Sequence, residues 1–367
     1  MPSWLKRSLT TTGLYLQTNG TEILVPILSV VAGLLIGTIF IAGSGASVSE
    51  AYTAFFRSVV GSPPFAEPRF FGETLVQTIP LIFTGLAHAI AFRTGLFNIG
   101  AEGQYIMGSL AAAILGYAIH LPTGLHLVVA LAGGALGGAL YAAIPGLLKA
   151  YRGVHEVVNT IMLNWIAFYF VNWAIHLLKD PNAKTGSATP VVLETAKFVQ
   201  GLIPGSRLHY GLLWAIATAI VLYIFLWRTA SGYEIRAVGL SPGAAEYAGI
   251  NVQWNIVKAM MISGALAGLA GAVQTLAINY RFYEQIGFTN YGFDGIAVAL
   301  VGRSHPIGVL LSALLFGALG RGGPAMQAAA GIPKAVIWVV QGVIVFFVAC
   351  EGLWRFLKRR KQKGASA

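Results

Sequence analysis

Charge and cysteine are what this sequence has least of. Only 10% of its 367 residues are charged, and 13 of them are acidic. A soluble domain carries about 25%. With 56% hydrophobic residues and a mean hydropathy of +0.71, the shortage excludes a soluble globular fold. It points to an all-α polytopic membrane protein. A spanning helix needs about 20 apolar residues, so the chain holds about ten spans and no sizeable soluble domain. Cys350 is the single cysteine, which excludes internal disulfides and cysteine-based metal sites. The seven histidines lack ligand spacing with acids, so no metal site is assigned. There is no G-x-x-x-x-G-K-[ST] phosphate loop. Any ATP-driven step therefore belongs to another chain, and this one binds no cofactor of its own. No nucleophile–base motif supports an intramembrane enzyme.

The net charge of +11 raises a nucleic-acid partner, but basic loops on the cytoplasmic face of a membrane protein account for it better. Six of the 24 basic residues lie in the tail EGLWRFLKRRKQKG. The division expected is a cytoplasmic N-terminus over 1–22, a transmembrane domain over 23–351 and a basic cytoplasmic tail over 352–367. Spans are expected at 23–42, 74–92, 101–119, 125–148, 157–178, 208–227, 256–278, 293–301, 307–319 and 333–350. Lys6, Arg7, Arg93, Lys149, Arg152, Arg228, Arg236 and Arg303 then fall on one side with the tail, which places both termini in the cytoplasm of a cell-membrane protein. The eighth span is too short to cross alone. It either extends backwards or is a broken helix whose irregular backbone is covered by protein. Glycine runs GGALGGAL at Gly133–Leu140 and GALAGLAGA at Gly264–Ala272 read as helix-packing surfaces.

The stretch GLFNIGAEGQYIMG, Gly95–Gly108, packs Asn98, Glu102 and Gln104 into apolar surroundings, where a carboxylate is costly. Asn98 reads as the cap of the helix that follows. A short echo, Gly292-Phe293-Asp294-Gly295, opens the eighth span. Five spans separate the two copies, so two inverted five-helix halves are expected, with a solute path between them. Candidate path residues are Phe97, Asn98, Glu102 and Gln104, then Asn159 and Asn164 in span five, Gln274 in span seven, and Phe293 and Asp294. Two readings compete at each. Asn and Gln serve interhelical hydrogen bonds as readily as a solute, acids suit helix N-termini, and Phe97, Tyr105 and Phe293 pack as readily as they stack on a base or sugar.

Between spans six and seven lies SGYEIRAVGLSPGAAEYAGINVQWN, Ser231–Asn255. Ser241 suits a cap, Pro242 the first helical position and Gly249 the stop. A helix of about seven residues is too short to stand alone in water, so it packs on the protein itself or docks to another chain. This run resembles the cytoplasmic coupling loop of ABC importer permeases. Gly95–Gly108 and FDGIAVALVGRSHPIGVLLSALLFG, Phe293–Gly317, resemble the branch serving simple sugars, nucleosides and, more distantly, branched-chain amino acids. Nucleoside permeases match most closely.

The resemblance implies a type II importer-like permease subunit forming a path for nucleosides, with a sugar such as ribose as the alternative. It implies an ATP-binding cassette ATPase that uses ATP and magnesium, a second homologous permease in a heterodimer, an extracellular substrate-binding lipoprotein, and contact with membrane lipid. It places Ala244, Ala245, Gly249 and Ile250 in the ATPase-coupling motif, with Glu234 and Arg236 just before it. Gly243 stands where the older EAA pattern has Glu. An ion-coupled secondary transporter is the rival of another class. It would need coupling-ion carboxylates buried mid-span and no docking segment.

Overall fold

A computed structural model describes residues 28–62, 67–180, 187–333 and 335–349. Among these the fold is helical throughout, with thirteen α-helices and two isolated bridges, Ala188 with Tyr283 and Gln200 with His209. The helices are α1 (Leu28–Gly43), α2 (Val48–Val60), α3 (Pro68–Arg93), α4 (Ala101–Ala118), α5 (Leu125–Arg152), α6 (Glu156–Leu178), α7 (Gly211–Arg228), α8 (Ala230–Leu240), α9 (Pro242–Tyr247), α10 (Val252–Gln274), α11 (Tyr291–Val301), α12 (Pro306–Ala330) and α13 (Ala335–Ala349). A π turn, Thr275–Asn279, extends α10.

Six helices are long and apolar enough to cross a membrane: α3, α5, α6, α7, α10 with its π turn, and α12. Of the other four expected spans, α11 is apolar but shorter, α4 opens on the polar motif, and 23–42 and 333–350 lie partly outside the described residues. The segment 43–73, read as a loop, contains α2 and the first turn of α3. Pro68 sits at a position where its fixed φ favours helix and its missing N–H costs nothing. The helix expected over 307–319 runs on through Pro324 to Ala330. The expected tails at 1–22 and 352–367, and Cys350, lie outside the described residues.

The chain divides into two compact units, one formed by the described residues up to Phe55 and from Gly323 onward, the other by Phe56–Gly322. In the first, side chains at Gly33 and Gly37 of α1 would strike Ile344 and Val340 of α13. Tyr52 Oη of α2 donates to the Leu34 carbonyl at 2.7 Å. In the second, α3 and α10 are the inner helices, while α5, α6 and α7 turn much of their apolar surface outward. The glycine runs do what small residues do in lipid: they bring backbones together. A Cβ on Gly138 would collide with the Gly264 carbonyl, one on Gly268 with the Gly134 carbonyl, and one on Gly108 with Gly268 itself. Helices α4, α5 and α10 therefore meet backbone to backbone.

Candidate functional site

The N-terminus of α4 is built by residues from elsewhere in the chain. Its own N-cap, Gly100, offers no side chain, and the Asn98 cap expected from local spacing does not form. Asn164 of α6 replaces it. Its Oδ1 accepts from the Gly103 N–H at 2.8 Å and its Nδ2 donates to the Ile99 carbonyl at 3.0 Å. A Cβ on Gly103 would press on this amide at 3.0 Å, which explains why that turn carries glycine.

Asn98 turns inward instead. Its Nδ2 donates to Gln104 Oε1 and to Ser263 Oγ, both at 2.8 Å, and Gln104 Nε2 donates back to Asn98 Oδ1 at 3.0 Å. Ser263 of α10 donates its own hydroxyl to the Ala87 carbonyl of α3 at 2.7 Å. The network joins α3, α4 and α10 with its polar atoms paired, as buried amides require. Both amide side chains are buried.

Glu102 is fully buried, and its carboxylate caps a helix other than its own. Oε1 accepts from Thr289 Oγ1 at 2.7 Å and from the Asn290 N–H at 2.9 Å, and Oε2 accepts from the Gly292 N–H at 2.7 Å. These donors are the N-terminal end of α11. Eleven residues rise about 16 Å, roughly half of a 30 Å hydrocarbon core, so α11, expected over 293–301, is too short to cross a membrane by itself. The first N–H groups of any helix have no partner within it. A carboxylate placed there satisfies them and meets the positive end of the helix dipole. Asn290 reaches the cap in left-handed backbone, φ +68°. A Cβ on Gly292 would run into the backbone of Glu102, so the two echoed motifs lie against each other.

Aromatic rings surround this junction. Tyr105 and Tyr291 stand 5.7 Å apart, and Tyr291 Oη donates to Gln77 Oε1 at 3.0 Å. Phe293 meets Phe288 edge-on at 5.7 Å. Phe288 packs on Trp165 at 4.8 Å and on Phe168 at 5.4 Å. Trp165 and Tyr169 are exposed. Phe97 packs on Phe92. Asp294 is half-buried in the first turn of α11, and Gln274 is half-buried at the end of α10. Asn159 keeps a buried Nδ2 without a hydrogen-bond partner. Trp165, Phe168 and Phe288 were not singled out from the sequence. Their trace there is the i, i+3 spacing of Trp165 and Phe168 next to Asn164. Glu73 of α3 binds Arg207, in the loop before α7, at 2.7 Å and holds its guanidinium above the usual arginine range.

The segment Ser231–Asn255 takes in most of α8, all of α9 and the first turn of α10, and each of the three helices has a side-chain cap at its start. Thr229 Oγ1 accepts from the Gly232 N–H, Ser241 Oγ from Ala244, and Asn251 Oδ1 from Trp254. Gly249 ends α9 in left-handed backbone, φ +82°. Within α9 only Ala245 is buried, whereas Tyr247 is 97% exposed and Leu240, just before it, 88%. Ala244 and Gly249 are also open, and Ile250 donates its N–H to the Ala245 carbonyl at 3.0 Å. Glu234 is an internal brace, accepting from Asn255 Nδ2 at 3.2 Å and facing Lys258 Nζ at 3.4 Å. Arg236 lies over the Trp227 ring. Gly239 of α8 packs so closely on the Arg93 backbone that no Cβ would fit, and it also touches Gly95. The segment thus rests directly on the entry to the Gly95–Gly108 motif.

The model of a family described as "Branched-chain amino acid transport system / permease component" matches residues 70–349. Over 348 residues the chain is 40% identical to the guanosine ABC transporter permease protein NupP of Bacillus subtilis, covering 94% of this chain and 99% of that one. It is 37% identical over 338 residues to the nucleoside ABC transporter permease protein NupB of Lactococcus lactis, covering 90% and 91%. It is 31% identical over 348 residues to the glucose ABC transporter permease protein TsgB13 of Haloferax volcanii, covering 91% and 88%.

Proposed function

The chain belongs to the permease-component family of branched-chain amino acid-type transport systems, and from that membership we propose that it forms the path for nucleosides through an ATP-binding cassette importer. The nucleoside reading rests on the two relatives at 40% and 37% identity, each matched over at least nine-tenths of this chain. The glucose relative, at 31%, supports the second reading, a simple sugar carried by the same machinery. The path runs beside the α4–α11 junction. Phe293, Asp294, Asn159 and Gln274, with the Trp165–Phe288 aromatic group, line it. Phe97, Asn98, Glu102, Gln104 and Asn164 hold its walls in place. The family arrangement of about ten spans in two inverted halves, with both termini cytoplasmic, is part of this reading, and the facing motifs at Gly95–Gly100 and Gly292–Gly295 support it.

Coupling to a separate ATPase is carried by one observation: α9 is nearly bare, with Tyr247 97% exposed and only Ala245 buried. A six-residue helix has no stability of its own, so a surface this open is suited to a partner's cleft. A push on α9 passes through α8 to Gly239, and from there to Arg93 and Gly95 at the base of the junction. Ala244, Tyr247 and Gly249 touch the ATPase. Ala245 and Glu234 fasten the segment to its own bundle. The second subunit is a homologous, distinct permease, as the resemblance to nucleoside systems implies, and a binding lipoprotein delivers solute from outside.

Proteoliposomes test both layers. The chain alone should accumulate no guanosine under any ion gradient, and the co-expressed complex should do so only with ATP and magnesium. Uptake by the chain alone would sink the reading. Competition by unlabelled guanosine but not by ribose or glucose separates nucleoside from sugar. Tyr247→Ala should weaken ATPase co-purification about tenfold, a typical loss for an aromatic anchor, with the chain's thermal midpoint unchanged. Equal recovery of the ATPase would remove α9 from the interface.

A further inference from the structure

Where α7 ends, cations gather without acids. The guanidinium carbons of Arg93 and Arg236 lie 5.3 Å and 5.8 Å from the centroid of the Trp227 ring. Arg93 closes the turn between α11 and α12, donating to the Ser304 carbonyl at 3.0 Å and the Arg303 carbonyl at 3.2 Å. Among the described residues, neither Arg93 nor Arg236 has an ion-pair partner. Arg236 Nε is buried there with nothing to accept its proton. His305 packs on Trp227 at 5.0 Å. Burial and the Arg93 charge hold it below the usual histidine range, so the positive charge is carried by the arginines. Two guanidinium groups sharing one ring, neither with a carboxylate partner among the described residues, call for an anion.

The surroundings indicate where that anion comes from. Ile220, Ile224 and Trp227 follow one stripe of α7, and Ile220 and Ile224 are about half exposed. Ile307 and Leu311 open α12 with apolar side chains 58% and 68% exposed. An apolar stripe that ends at an indole and two arginines has the order of a phospholipid, tail then headgroup. We propose that Arg93, Arg236 and Trp227 form a binding site for the phosphate of an anionic phospholipid, its acyl chains lying on α7 and the start of α12.

The test is native mass spectrometry of the full-length chain, released from nanodiscs of phosphatidylglycerol and phosphatidylcholine mixed equally. The wild-type chain should retain phosphatidylglycerol preferentially. Arg236→Gln should lower that retention about fivefold, the effect of one surface cation on anionic lipid. Arg236→Lys should restore most of it. Arg236 makes no hydrogen bond to the fold through Nε, so this variant leaves the Arg93 turn in place, and an unchanged thermal midpoint in phosphatidylcholine verifies that. Equal retention of both lipids by the wild type, or no change in Arg236→Gln, overturns the proposal. Displacement of the lipid by millimolar inorganic phosphate would assign the site to free phosphate and overturn the lipid assignment. Loss of the ATPase, rather than of lipid, from the Arg236→Gln complex would assign the arginines to an acidic protein surface and overturn it too.

Discussion

Glu102→Ala should leave little folded protein in the membrane and none that transports. The substitution strips the Thr289 hydroxyl, the Asn290 N–H and the buried Gly292 N–H of their acceptor at once. A buried donor left without an acceptor costs about 1–3 kcal/mol, and α11 also loses the charge that meets the positive end of its dipole. Together these are a large share of the 5–15 kcal/mol by which folded domains are stable. Glu102→Gln should fall between. Its amide oxygen can keep the two bonds made by Oε1, but its NH2 then faces the Gly292 N–H, donor against donor. The expected order of thermal midpoints in detergent is wild type, then Gln, then Ala, and uptake by the assembled importer should follow it. An Ala variant that melts with the wild type would show that α11 does not depend on this carboxylate.

Gly268→Leu should abolish assembly of the α4–α5–α10 contact. There is no space for even one methyl: it would meet the Gly134 carbonyl and the backbone of Gly138, the latter at 3.0 Å, with Gly108 packed on the same residue. Gly268→Ala forces the helices apart and should cost about 1–3 kcal/mol, the usual range for overpacking. Leu adds three more carbons and has no room to relax. The check is the yield of monodisperse chain on size exclusion together with the thermal midpoint, and the Ala variant gives a measurable loss where Leu gives no protein. Gly243, whose surroundings are open, is the control position. Gly243→Ala should fold as the wild type does, and an equal loss at both positions would refute close backbone packing as the cause.

Several features were legible from local spacing. Ser241, Pro242 and Gly249 bound α9 because capping, first-turn proline and a left-handed stop are each decided within a few residues. The glycine runs announced close helix contacts because in lipid only small residues admit them. The short eighth span was legible from its length. What was misread was longer in range. Asn98 looked like a cap because it stands just before a helix, but it pairs with Gln104 and with Ser263, 165 residues away. The brace from Glu234 of α8 to α10 was likewise out of reach of local spacing, since its partners Asn255 and Lys258 lie 21 and 24 residues on. Helix α2 sat inside a segment read as a loop because, with Glu50 and Arg57 in its end turns, it lacks the long apolar run that marks a span.

Composition and hydropathy by themselves determined a membrane-embedded helical bundle, since a chain this poor in charge has no other solvent. Three sequence blocks determined its kinship to importer permeases. Only the tertiary structure decided what the buried carboxylate is for. Glu102 meets its partners 187 to 190 residues along the chain, at the N-terminal end of α11. No spacing rule reaches that far: the need for the acid arises only when the start of α11 packs against α4.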